Sequence, residues 1–260
     1  MEMNGKVCVI TGGANGIGRC IAETFYAAGA SVIFADTDAD HGAKLAARLP
    51  GSVFVHGDVS EEPVLFNIAR IVKARYGCVD VLINNACVSR KGILSGCSYE
   101  DFDYVLRLGV AAPYRLTMLL RDLFAPGASI VNLSSTRALM SQPDTESYSA
   151  AKGGVLALTH ALAASLAGKV RVNAISPGWI DTGRFHEDGY VATFSVGDLK
   201  QHPAGRVGAP EDIAAMAAFL CGPEASFITG QNFIVDGGMT RNMIYHGDGG
   251  WQYQPEESDV

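Results

Sequence analysis

Val7-Cys8-Val9-Ile10 runs directly into Thr11-Gly12-Gly13-Ala14-Asn15-Gly16-Ile17-Gly18, and this junction decides the fold. The apolar residues read as a buried strand, and the glycines after them permit a tight turn into a helix. Gly12, Gly16 and Gly18 let the backbone approach an anion closely, while the helix begins with free N–H groups aimed at that anion. With Asn15 and Ile17 beside it, such a turn suits the pyrophosphate of a dinucleotide; taken alone, it also describes a merely structural turn.

Outward from this junction the pattern repeats. Apolar, β-rich runs at 6–10, 31–35, 52–56, 79–83, 129–133, 170–175 and 232–235 alternate with helical patterns at 18–28, 39–48, 63–76, 99–123, 148–167 and 210–220. This alternation predicts an α/β fold, a doubly wound, parallel, Rossmann-like sheet of about seven strands with helices on both faces. At 260 residues and 48% hydrophobic, the chain can bury one large core, and no repeat or low-complexity linker divides it. A single domain is expected over 1–240, containing an irregular segment at 181–206 placed to act as a lid, and a polar, acidic tail at 241–260.

The net charge of -7, with no cluster of Lys and Arg among aromatics, argues against a nucleic-acid surface. No apolar stretch is long enough to cross a bilayer, and the first strand leaves no room for a signal peptide, so a cytoplasmic protein is expected. The six cysteines form no CxxC pair and the six histidines no ligand constellation, so no metal is expected and the thiols read as reduced.

Asp36 follows the second strand, where its carboxylate would accept hydrogen bonds from adenosine ribose hydroxyls. The same charge would repel a 2′-phosphate, and neither Asn15 nor Thr37 is basic, so NAD is expected over NADP. Asp58-Val59, after the third strand, would sit near the adenine; Asp58 equally reads as a cap on the following helix.

Farther along come Asn84-Asn85-Ala86, Ser134-Ser135, Tyr148-Ser149-Ala150-Ala151-Lys152, Pro177-Gly178-Trp179-Ile180-Asp181-Thr182, Gly205-Arg206-Val207-Gly208 and Asp236-Gly237-Gly238. In this order, and with the glycine turn, they make the chain resemble the short-chain dehydrogenase/reductase family from Lys6 to about Thr240. The resemblance implies NAD(P)-linked interconversion of a small alcohol and its carbonyl compound, and a homo-tetramer or homo-dimer. Tyr148 and Lys152 stand one helical turn apart, so the lysine charge favours the tyrosine anion and makes Tyr148 a usable general acid/base. By the resemblance, Ser135 steadies the reacting oxygen, and Lys152, with Tyr148, holds the nicotinamide ribose. Asn85 lies beside that ribose, Ile180 and Thr182 contact the carboxamide, and Asn84 is structural.

Two positions depart from the family pattern. Gly109 stands where an asparagine usually serves the proton relay, so turnover is expected to be slowed and Gly109→Asn to raise it. Cys87 replaces the glycine that usually ends Asn-Asn-Ala-Gly, beside the cofactor pocket, where a thiol is either alkylation-sensitive or buried and inert. Arg90 and Lys91 could meet an anionic substrate or be plain loop charges. Trp179, Phe185, His186, Tyr190 and Phe194 could wall the substrate pocket. Two rival functions stay open: a dinucleotide-binding sensor or scaffold with weakened catalysis, and an NADPH-dependent carbonyl reductase.

Overall fold

The computed structural model describes residues 2–243 together with 245 and 247, so most of the tail assigned to 241–260 lies outside the described residues. Strands β1 (Val7–Thr11), β2 (Ser31–Asp36), β3 (Val53–His56), β4 (Val79–Asn84), β5 (Phe124–Leu133), β6 (Val170–Pro177) and β7 (Asn232–Val235) form one sheet. Its order is β3-β2-β1-β4-β5-β6-β7, and every neighbouring pair is parallel. The chain therefore moves outward from β1 to β3 and crosses back to β4 at the other side of β1. That reversal opens a crevice at the carboxyl ends of β1 and β4.

The helices are α1 (Gly16–Ala27), α2 (Ala39–Arg48), α3 (Glu62–Arg75), α4 (Tyr99–Leu106), α5 (Ala112–Leu120), α6 (Glu146–Ser165), α7 (Val196–Lys200) and α8 (Pro210–Cys221). Strand alternation sorts them into two layers. Val7, Val9, Ile33, Leu82, Ile130 and Val172 meet Leu65 and Ile68 of α3, Leu116 and Leu120 of α5 and Leu162 of α6. Cys8, Ile10, Phe34, Ile83, Val131 and Ile175 face the opposite way, against Ile21 and Phe25 of α1, Leu45 of α2 and Ile213 and Leu220 of α8. Each large side chain so buried contributes roughly 1.5–3 kcal/mol, which fixes the sheet as the platform for the loops at its carboxyl edge.

The helix predicted over 99–123 is not continuous. A π turn at Arg107–Ala111 separates α4 from α5, and the Ala112 N–H donates to the Arg107 carbonyl, five residues back. Pro113 explains the break: it brings no N–H, and its ring crowds the carbonyl of Gly109, which the wider turn moves aside. Strand β5 also starts earlier than 129, since Phe124 pairs with Val79 across a bulge. Pro126-Gly127 lies within this strand, with Gly127 at φ 76°. Within 181–206, a 3-10 turn (Gly183–Phe185) and α7 supply local order, the latter through a capping box between Ser195 and Asp198.

Candidate active site

The turn after β1 is shaped by what a side chain would strike. With Gly12 at φ 65°, a Cβ there would lie 2.8 Å from Asn85 Nδ2 and 2.9 Å from Ala86 Cα, and one on Gly18 would overlap the Gly12 carbonyl oxygen. Asn85 braces the turn from β4 by donating its amide to the Thr11 and Gly12 carbonyls, at 3.1 and 2.8 Å. Asn15 occupies the N-cap position of α1 without capping it, and its Oδ1 is buried with no partner. An uncapped helix start with free N–H donors thus remains on a backbone cradle that can hold a dinucleotide's phosphates.

Beside the cradle is a cavity of about 330 Å³ lined by Gly12, Asn15, Gly16, Ile17, Asp36 and Thr37 on one side. Asp58, Val59, Asn85, Cys87, Tyr104 and Thr182 line the other. Among the described residues, no lysine or arginine lines it. Asp36 Oδ2 accepts the Ala14 N–H and Oδ1 the Asp38 N–H, so the carboxylate is fixed at the rim. Asp38 receives the Asn15 amide at 2.9 Å and caps α2. The His41 backbone N–H, followed by the side chains of Asn15 and His41, holds its carboxyl down to about 2. Asp58 lines the cavity but does not cap α3, whose N-cap is Glu61; it accepts from the Ser60 N–H and the Tyr104 hydroxyl, at 2.8 and 2.7 Å. Burial pushes its pKa upward, but these hydrogen bonds outweigh burial and leave it below the ordinary value.

Next to this lies a larger cavity of about 1110 Å³ whose lining includes Ser135, Arg137, Tyr148, Trp179 and Ile180. Ser135 follows β5, and its Oγ accepts the Arg137 N–H at 3.2 Å. Ser134 Oγ donates to the Lys152 carbonyl at 2.8 Å, tying the end of β5 to α6. Tyr148 is in the first turn of α6. Lys152 is buried (4% exposed), donates from Nζ to the Leu133 carbonyl at 2.7 Å, and stands 5.4 Å from the Tyr148 ring centroid. Among the described residues no carboxylate pairs with that ammonium.

Of the catalytic and cofactor-binding residues expected from sequence, all but Gly18 and Lys152 thus line the smaller cavity or, with Ser135, Tyr148 and Ile180, the larger one. Gly18 packs beneath the turn, Lys152 is buried behind Tyr148, and Asn84 donates to Asn132, which donates to Thr159, joining β4, β5 and α6. Arg90 pairs with Asp101 and stacks on Tyr104, and neither it nor Lys91 lines a cavity. Trp179 lines the larger cavity with Phe194 edge-on to it, His186 lines the smaller, and Phe185 is buried against α1.

The two departures meet in space. A Cβ built on Gly109 would lie 3.0 Å from Ala151 Cβ and 3.4 Å from Cys87 Sγ, so the thiol stands against the room a side chain at 109 would need. On this packing we expect Gly109→Asn alone to lower rather than raise turnover, because its Cβ would press on Ala151. Arg137, which sequence reading did not single out, also lines the larger cavity. Its only signal was its place two residues after Ser135.

A family model described as enoyl-(acyl carrier protein) reductase matches residues 12–240. An uncharacterised oxidoreductase of Thermotoga maritima is 44% identical over 94% of this chain and 99% of its own length. A 3-oxoacyl-(acyl-carrier-protein) reductase of the same organism is 35% identical, covering 92% of this chain and 99% of that protein. The solved structure of an apo SCOR enzyme from Clostridium thermocellum superposes with a TM-score of 0.87 at 44% identity, covering 97% of this chain and 99% of that one.

Proposed function

Because the chain belongs to the short-chain dehydrogenase/reductase family of oxidoreductases, we propose that it interconverts a secondary alcohol and its ketone with NAD, using Tyr148 as general acid/base. One observation carries this reading: Ser135 and Tyr148 share a cavity while the buried, unpaired Lys152 ammonium stands beside the tyrosine ring. A buried cation at this position can offset negative charge that develops on the tyrosine side chain as a proton moves. In oxidation, Tyr148 Oη takes the proton of the substrate hydroxyl, and in reduction it returns one. Ser135 Oγ hydrogen-bonds the reacting oxygen and steadies its charge.

NAD, when bound, accepts the carbon-bound hydrogen as hydride. Gly12, Asn15, Gly16, Ile17 and Gly18 would hold its pyrophosphate, Asp36 the adenosine ribose, and Asp58 with Val59 the adenine. Asn85, Tyr148 and Lys152 would hold the nicotinamide ribose, and Ile180 with Thr182 the carboxamide. The preference for NAD rests on Asp36 at a rim lined by no cation. Similarity to a 3-oxoacyl reductase favours a second reading, reduction of a carbonyl compound with NADPH.

A panel of secondary alcohols and ketones, assayed with both dinucleotides, tests these readings together. Turnover faster with NAD than with NADP is expected. Use of NADPH at least as well as NADH supports the second reading, and tight NADH binding without any turnover supports a sensor.

We also propose a homo-dimer or homo-tetramer. Tyr99, Tyr114 and Met118 on α4 and α5, and Phe219 on α8, present apolar surface to solvent. Light scattering at micromolar concentration is expected to report an oligomer, and a monomer contradicts it. Six free thiols support the cytoplasmic placement.

A further inference from the structure

We infer that the larger cavity takes a substrate whose reacting alcohol or ketone also carries an anionic group, a carboxylate in the simplest case, and that Arg137 reads that group. The inference rests on the dehydrogenase reading above and narrows its substrate class.

It starts from a charge without a counterpart. Among the described residues, none lining the cavity is Asp or Glu, and Arg137 is the one Lys or Arg there. The guanidinium donates to the neutral Gln142 amide oxygen and, among the described residues, makes no ion pair. This is unusual within the chain, where acidic residues outnumber Lys and Arg by 27 to 20. Arg19, Arg115, Arg184 and Arg206 all hold a carboxylate. Of the arginines that do not, Arg70, Arg75 and Arg241 are exposed to solvent. Arg171 is engaged by the carbonyls of Leu220, Gly222 and Ala225. Arg137 alone is half-buried, unpaired and on a cavity wall.

Position supplies the second part of the argument. The Arg137 N–H donates to Ser135 Oγ, so the cation belongs to the same turn as the hydroxyl proposed to bind the reacting oxygen. One small molecule can therefore present an oxygen to Ser135 and Tyr148 and an anion to Arg137, whose planar fork matches a carboxylate in two hydrogen bonds. A neutral polyol would leave that charge unanswered, and its hydroxyls would fall to Gln142, Gln201 and Asn242 on the remaining wall.

The test pairs acids with their amides: lactate with lactamide, 3-hydroxybutyrate with 3-hydroxybutyramide, and 4-hydroxypentanoate with its amide, with 2,3-butanediol as a neutral control. The series varies the spacing between hydroxyl and charge. At least one acid is expected to exceed its amide by about tenfold or more in kcat/KM. Arg137→Gln is expected to erase that preference through KM, Arg137→Lys to keep part of it, and both to leave NADH affinity within about twofold. Equal use of acids and amides by the parent protein, or a preference that survives Arg137→Gln, overturns the inference. Should no compound be turned over, the dehydrogenase reading fails, and binding decides the anion site separately. Saturable quenching of Trp179 fluorescence by one of these acids, lost in Arg137→Gln, supports the site; no quenching by any of them overturns it.

Discussion

The two cavities are neighbours with opposite electrostatics and opposite construction. Among the described residues, the smaller one has carboxylates at Asp36 and Asp58 and no lysine or arginine, whereas the larger has Arg137 and no carboxylate. The smaller is built around main chain, so its shape follows from which residues lack a Cβ. The larger is walled by side chains gathered from Ser89, Met140, Trp179, Gln201, Met239 and Asn242, far apart in sequence. Backbone sites are dictated locally and side-chain sites by assembly, which is why one fold can keep its nucleotide end while its substrate end varies.

Removing the charge behind the reacting end should break this contrast most severely. Lys152→Met is expected to lower kcat about 10²–10³-fold in initial-rate assays, since it deletes the cation beside the tyrosine ring and frees the Leu133 carbonyl. A fall of less than about threefold would remove the lysine from the account. At the smaller cavity, Asp36→Ala should leave kcat with NAD nearly intact but narrow the NAD-over-NADP ratio in kcat/KM by about tenfold. An unchanged ratio would mean that the carboxylate at the rim does not choose the dinucleotide.

Smaller effects sharpen the boundary where the cavities adjoin. Gly109→Asn should lower kcat a few-fold and reduce thermal stability by about 1–3 kcal/mol, because its Cβ meets Ala151 and Cys87. Adding Cys87→Gly should recover part of both losses in a double-mutant cycle. Purely additive losses would show that positions 87 and 109 do not share the space. The least effect is expected at the cap on α2, where Asp38→Ala should cost about 1 kcal/mol at neutral pH by urea denaturation. Its folded pKa is depressed to about 2, so this contribution is complete above the ordinary carboxylate range and fades as pH falls toward 2. A difference between parent and variant that is unchanged at the acid end would contradict it.

The same contrast explains what could be read from the amino-acid string. Strand alternation, the turn at Gly12, Gly16 and Gly18 and the acidic residue after β2 are local signals, and the architecture follows them closely. Tyr148 and Lys152 are legible because helical spacing ties them together. The π turn was hidden, since Pro113 inside an apolar helical pattern does not say whether the helix ends, kinks or widens. Also hidden was the contact of Cys87 with Gly109, which joins two segments 22 positions apart through packing alone. Arg137 escaped because its meaning lies in the acids that are missing around it, and only the folded wall reveals them.

Transfer of deuterium from a carbon-deuterated secondary alcohol to NAD, followed by mass spectrometry in the parent protein and in Tyr148→Phe, tests the central claim most directly. The account expects label in the reduced dinucleotide with the parent and a rate at least about 10²-fold lower with the variant, at similar NADH affinity. Label transferred by Tyr148→Phe at the parental rate would contradict it.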